Sequence, residues 1–583
     1  MNNWRVFTLA LPLWLVANGV TGADESRRTL DAATLLGSGA MRQAVPMAAF
    51  TPGPGAGAAG QQLQGLIDIF PAAKVDGFRV LRDDLGYASD STSLVTQLPA
   101  FSFTFVQQGD QLIPATRGVV TGDHPHWEWL LEPGLVWQEA GDRGYSRVAL
   151  PFSLVQRGEN CTHNGVMSFL FKSDGSVSRV ALQVASETCL YFKFDLWTLT
   201  RARFTPGPVA DAETLVANYA VEVANRLPVR PIEDLAADWP GANPAQFGAA
   251  NVISPDDMTV YGFLIGGVNY LGGCQTRQGR YPFCEVLDLP SYSLAKSLVA
   301  GLGLMRLEQL YPGAAKARIA DYVPECAASG TWHGVTFEHA LDMATGNYSS
   351  ADYDDDETAG DKASGFFDPV NHSGKISFAC GHYPHHTAPG QQWVYHTSDT
   401  YVLGTAMNGF LTERRGMRSD LLDDLLLPWW RSLSLSPTSA VSRRSYDEQA
   451  QAFTGYGLTL HVDDIAKLAD LANSEVIRQQ VDSALLNGAM QRNSDDPGLP
   501  AMAGRYYYNN GFWAYPGVTG TGCTSPINLP FMLGYGGINV VLLPNNTVYY
   551  YFSDSGQFSW LDAARESDRI IPFCSQDKEQ TDD

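Results

Sequence analysis

The chain has 583 residues, more than one core usually serves, so roughly two or three domains are expected, each able to bury a sizeable interior. Asp and Glu number 62 against 39 Lys and Arg, a net charge of −23 that nucleic acid and anionic membrane surfaces would repel. Neither is expected as a partner.

Residues 1–23 read as a secretory signal: Arg5 gives a positive start, 7–16 are mostly apolar, and Gly22 and Ala23 are small enough for cleavage. A secreted or periplasmic protein is expected. The alternative, an uncleaved anchor, is disfavoured because the apolar stretch is short for a bilayer, and no other stretch is long and apolar enough to span one. The eight cysteines are even in number, with no CxxC pair or other metal-ligand spacing, so export makes disulfides the natural reading. Cys161 with Cys189 and Cys274 with Cys284 are the plausible near pairs; spacing does not fix the connectivity.

Residues 24–76 are rich in Gly, Ala and Pro, with TPGPGAGAAG from Thr51, and are expected to form a mobile lead or loosely packed edge. From 77 the pattern changes to FSFTFVQQ, SRVALPFSLVQ, VMSFLFKSDGSVSRVALQVA and LYFKFDLWTLT, short β-branched and aromatic segments punctuated by turns. They predict a β-rich domain, a sandwich or a barrel. Its Trp127, Trp129 and Trp137 could form a platform for a flat ligand, but alternating tryptophans on a strand more often fill a core. An amphipathic helix over 211–227 and prolines at 231, 240 and 244 place the end of this domain near residue 235.

The remainder, 236–583, mixes strand-like 258–270, a helix from Ser293, helical patterns over 336–344, 398–412, 462–473 and 474–487, a hairpin of 537–544 with 547–553, and a closing helix over 560–570. Helices between early and late strands predict an α+β domain, an antiparallel sheet with a helical region beside it.

Chemistry concentrates in PSYSLAKSLVAGLGLMRLEQLYP, from Pro290. Ser293 lies three residues before Lys296, which puts both side chains on one face of the first helical turn. A serine needs a base to become a nucleophile, and burial can lower a lysine pKa far enough to make it one. The helix N-terminus also favours negative charge developing beside the serine. Two other clusters are weaker. CGHYPHH carries Cys380, His382, His385 and His386, better read as a cleft rim or a disulfide-tethered loop than as a metal site. DYDDDE, from Asp352 to Glu357, lacks the glycine and distal glutamate of a calcium loop and is expected to be a solvated insertion that lids the site.

SLAKSLVAGLGLMRLEQLYPG, DYVPE, TWHGVTFEHALDMATG and APGQQWVYHTSDTYVLG, in that order and spacing, resemble the serine β-lactamase-like superfamily. The likeness is to its class C and esterase branch, which also holds D-Ala-D-Ala carboxypeptidases and 6-aminohexanoate-dimer hydrolases. It covers the chain from about Met258 and implies a β-lactamase/transpeptidase-like catalytic domain behind the β-rich one. By that resemblance Ser293 is the nucleophile, Lys296 its activating partner, and Tyr395 a tyrosine whose phenolate, held beside the lysine ammonium, moves the serine proton. Tyr535, Gly536 and Gly537 match the third motif, with the Ile538 and Ser293 N–H groups as oxyanion donors. No metal and no cofactor is implied.

Two departures bear on substrate. Thr397 stands where the family commonly has Asn, and Tyr535 where lactamases place a cation for a substrate carboxylate. An ester or small amide, from a small-molecule or peptide-like acyl substrate, is therefore expected ahead of a β-lactam. A D-Ala-D-Ala carboxypeptidase or β-lactamase, and a non-catalytic envelope binding module, are the alternatives. The pattern sets no oligomeric state.

Overall fold

The computed structural model describes residues 29–70 and 74–574; the signal expected at 1–23 lies outside them. The first region is a ten-stranded antiparallel sheet. It closes into a barrel because Gln64–Phe70 pairs with Phe101–Gln108 on one edge and with the second half of Phe192–Pro206 on the other. Ser146–Gln156, Thr162–Phe171 and Val180–Thr188 are buried along their whole length. Such strands are covered on both faces, by the barrel interior and by the second region. Inside, Trp127 and Trp129 are at most 2% exposed. Trp127 stacks on Phe192 at 6.1 Å, and its Nε1 donates to the Val95 carbonyl at 3.0 Å. These tryptophans are core, which excludes a ligand platform.

Two sequence expectations are corrected here. The lead is not loose: Leu35, Met47, Ala49 and Phe50 are buried, the Gln183 amide exchanges two hydrogen bonds with the Val45 backbone, and Gln64–Phe70 is a barrel strand. Its glycines and prolines serve as turns between apolar anchors, which composition alone cannot separate from disorder. The boundary near 235 also moves, since Val229–Pro231 already pairs in parallel with Val268–Gly273 of the second sheet.

That second sheet has nine strands and, apart from the Val229–Pro231 pairing, is antiparallel. Its centre joins Met258–Ile265 to Thr547–Ser553, then to Ile538–Leu543 and Ile527–Gly534. Val462–Asn473 packs on these central strands, and Leu302–Leu310 and Thr397–Arg415 belong to the helical region beside them. One apolar cluster runs from Phe50, Val166 and Leu170 of the first region into Leu298, Leu302 and Val402 of the second, so the two share a core.

Ion pairs cross the same junction: Arg277 reaches Glu187 and Asp195, Lys193 reaches Asp257 and Asp554, and Arg443 reaches Glu128. Buried pairs recover little more than their desolvation cost, so they fix how the barrel seats more than they add stability. Four disulfides join Cys161 to Cys189, Cys274 to Cys284, Cys326 to Cys380 and Cys523 to Cys574. Among the described residues no helix is long and apolar enough to cross a membrane.

Candidate active site

Leu289–Pro290 pairs briefly with Thr459–Leu460, and the chain then turns through Tyr292 into a helix. Tyr292 has φ of +41°, unusual for a residue with a Cβ, and so aims the next side chain off the end of the strand. That side chain is Ser293. The helix continues as a π-turn over Lys296–Gly301, a local form that recurs at functional sites, before Leu302–Leu310 becomes regular.

Ser293 Oγ lies 2.5 Å from Tyr395 Oη and 3.1 Å from Lys296 Nζ. Lys296 also donates to Thr397 Oγ1 at 2.7 Å and to the Gly455 carbonyl at 3.3 Å. The ammonium is 1% exposed, and burial brings its pKa down to about 7, with Glu357 raising it and Lys362 lowering it further. Near neutral pH a substantial fraction of Lys296 is a free amine. Tyr395 moves the other way: burial first, then Glu357, pushes it well above the ordinary tyrosine value. A resting phenolate, expected from the resemblance, is therefore replaced by a neutral hydroxyl, and Lys296 is the member of the trio whose proton affinity is lowered. Thr397 supplies the oxygen that holds the lysine.

The third motif sits differently from expectation. Ile527–Gly534 comes against the turn that leads into Ser293 at Gly534, where a Cβ would lie 3.0 Å from the Ser291 carbonyl. Tyr535 follows, 46% exposed, with its ring 5.6 Å from that of Tyr292. Gly537 turns away: a Cβ there would meet Ser553 Oγ at 2.6 Å and the Gln557 carbonyl at 3.0 Å. Ile538 is fully buried in the ladder opposite Gly534. The structure thus brings together Ser293, Lys296, Tyr395 and Thr397, sets Tyr535 at their rim, and leaves Gly537 and Ile538 behind the turn. Three glycines in GYGG give sequence reasoning equal local signals, so only the ladder register separates them.

The chain is similar in outline to solved serine hydrolases. A 6-aminohexanoate-dimer hydrolase from Bacillus anthracis matches at a TM-score of 0.42 and 14% identity, over 59% of this chain and 86% of its own. A hydrolase with promiscuous acyltransferase activity matches at 0.40 and 14%, over 61% and 99%. A class C β-lactamase matches at 0.39 and 14%, over 58% and 95%. Neither protein-family models nor curated sequences match. At these scores the chemistry has to be read from the atoms of the site alone.

Sequence reasoning missed the support beneath that site. The acidic run is not a solvated insertion: Glu357 accepts the Thr397 N–H at 2.9 Å and pairs with Lys362, itself fully buried, at 3.2 Å. Asp356 takes His396 Nε2 at 2.9 Å, and Tyr353 stacks on Trp393 beside Tyr395. The signal available was the single lysine following four Asp and one Glu, a cation that needed a buried partner. The His-rich stretch is tethered by Cys326–Cys380, with His382 at Asp361 and His385 at Asn347.

Elsewhere, Glu132, Asp288 and His461 converge at the barrel junction. His461 Nε2 lies 3.2 Å from Glu132 and 3.6 Å from Asp288. Burial opposes its charge, but Glu132 and Asp288 raise it to about 10, while Arg117 and His461 hold Glu132 down to about 2 against its own burial. With both carboxylates facing it, His461 serves as their charge partner.

Proposed function

We propose that the chain is an exported serine hydrolase acting through an acyl-serine intermediate on an ester or small amide. The observation that carries this reading is one oxygen, Ser293 Oγ, within hydrogen-bond reach of both a buried lysine of lowered proton affinity and a tyrosine hydroxyl. In the cycle, Ser293 attacks the carbonyl carbon while its proton passes to Lys296, directly or through Tyr395. The Ser293 N–H, without a partner among the described residues, is one oxyanion donor. The second is assigned to the Tyr535 N–H, likewise unpartnered among them and next to the Gly534 contact, in place of Ile538. Collapse of the tetrahedral intermediate expels the leaving group, which takes its proton from Tyr395 as Lys296 refills the tyrosine. Water then enters by the same route and releases the acid.

Four disulfides agree with an exported protein. The rim favours neutral acyl groups: Tyr535 is uncharged, and Arg82, which faces it from the barrel, is held by Asp84 at 2.7 Å. β-Lactam and D-Ala-D-Ala substrates, which offer a carboxylate, are therefore ranked below esters. The test is the rate of p-nitrophenyl butyrate hydrolysis by wild type and Ser293→Ala, with matched circular dichroism. A loss of about 10⁴-fold or more is expected; equal rates would exclude Ser293 as the nucleophile.

A further inference from the structure

The barrel ends in a feature that the catalytic cycle does not by itself explain. Between Ser146–Gln156 and Thr162–Phe171 its connecting loop enters the second region and buries Asn160 completely. Asn160 Oδ1 accepts from the Tyr292 N–H at 2.7 Å, the Gly457 N–H at 3.1 Å and Ser291 Oγ at 3.3 Å, and Nδ2 donates to the Leu458 carbonyl at 3.1 Å. Ser291 N–H reaches the same Leu458 carbonyl at 2.9 Å, and Ser291 Oγ accepts the Leu458 N–H at 3.1 Å. One amide therefore joins two backbones, the turn that leads into Ser293 and the strand that follows the Gly455 carbonyl held by Lys296.

We infer that Asn160 is a positioning residue of the hydrolase, so that the active site is incomplete without the barrel. Tyr292 stays in its left-handed conformation only if its N–H keeps a partner there, and Asn160 Oδ1 is that partner. Without it the buried N–H can be satisfied only by relaxing the turn, which swings Ser293 Oγ away from Lys296 and Tyr395. Asn160 is itself fixed: the adjacent Cys161 is bonded to Cys189 and accepts the Tyr292 hydroxyl at 3.3 Å, and Arg443 Nε donates to the Glu159 carbonyl at 2.9 Å.

The inference rests on the acyl-serine reading, and the test keeps the two apart. Full-length wild type, Ser293→Ala, Asn160→Ala, Asn160→Asp and Asn473→Ala are compared in ester kinetics and in labelling by a fluorophosphonate. Asn473 is a buried amide that bonds the Leu543 and Thr547 carbonyls away from the site, and serves as the control for a lost structural bond. In the folded fraction, Asn160→Ala is expected to lower kcat about 10²-fold, as for a reacting atom misplaced by about 1 Å, with KM little changed. Asn473→Ala leaves kcat near wild type. Asn160→Asp keeps the acceptor and regains the donor only while protonated, so its rate relative to wild type falls as pH rises; this arm carries the test if Asn160→Ala does not fold. Wild-type kcat in Asn160→Ala, an equal loss in Asn473→Ala, or a flat Asn160→Asp ratio would overturn the inference and leave the serine mechanism standing. Failure of wild type both to hydrolyse the ester and to label at Ser293 would remove the mechanism and the inference together.

Discussion

The barrel and the helix-covered sheet bury different things. The barrel interior is packed with rings, Trp127, Trp129, Phe152 and Phe192 among them, and the carboxylates its strands bury, Glu128, Glu132, Glu187 and Asp195, are paired with arginines. The catalytic region buries three ammonium groups, Lys296, Lys362 and Lys375, each at most 1% exposed. An apolar interior lowers free energy wherever it is placed, whereas a buried cation is costly unless something exploits or neutralises it. Lys362 is neutralised by Glu357, and Lys296 has its proton affinity reduced, which is what a base requires. One region buries rings and paired charges, and the other holds amines whose proton affinity burial alters.

The largest test of that contrast is Lys296→Ala. It should lower kcat/KM about 10⁴-fold and leave the thermal midpoint unchanged or raised, because an expensive buried group is removed. Trp127→Ala should do the reverse, costing about 3–5 kcal/mol of unfolding free energy in a denaturant titration while the folded fraction keeps its kcat. A stability loss from the first or an unaltered midpoint from the second would break the comparison.

Much of the reactive region was legible because it is local. Ser293 and Lys296 are three residues apart on a helix, and the leucines behind them repeat at helical spacing, so periodicity alone places both. Tyr395 needed the resemblance, since nothing within a few residues of it points to Ser293. Asn160 and Glu357 were illegible for a shared reason: each acts on a segment dozens to hundreds of residues away, and only tertiary structure brings them there. Barrel closure is of the same kind, resting on the pairing of Gln64–Phe70 with Phe192–Pro206.

Two smaller effects sharpen the contrast. Activity should rise with pH along a limb centred on about 7, as Lys296 loses its proton, and level off above it. Glu357 raises the Lys296 pKa, so Glu357→Gln should shift that limb to lower pH, alongside any loss from releasing the Thr397 N–H. A pH–rate profile of kcat/KM for both proteins checks the sign; an upward shift would mean that Glu357 does not act on the lysine through its charge.

The centre of the second sheet has a further consequence for the cell that makes this protein. Met258–Ile265 pairs early with Val268–Gly273 on one side but finds its other neighbour in Thr547–Ser553, and the Gly534 turn that packs on the Ser291 carbonyl leaves the ribosome after nearly everything else. A growing chain can already hold the nucleophile, the lysine and the tyrosine, yet it has no strand to close the cleft against them. On the acyl-serine proposal, synthesis is therefore silent, and hydrolytic capacity arrives in a single step with the last strands.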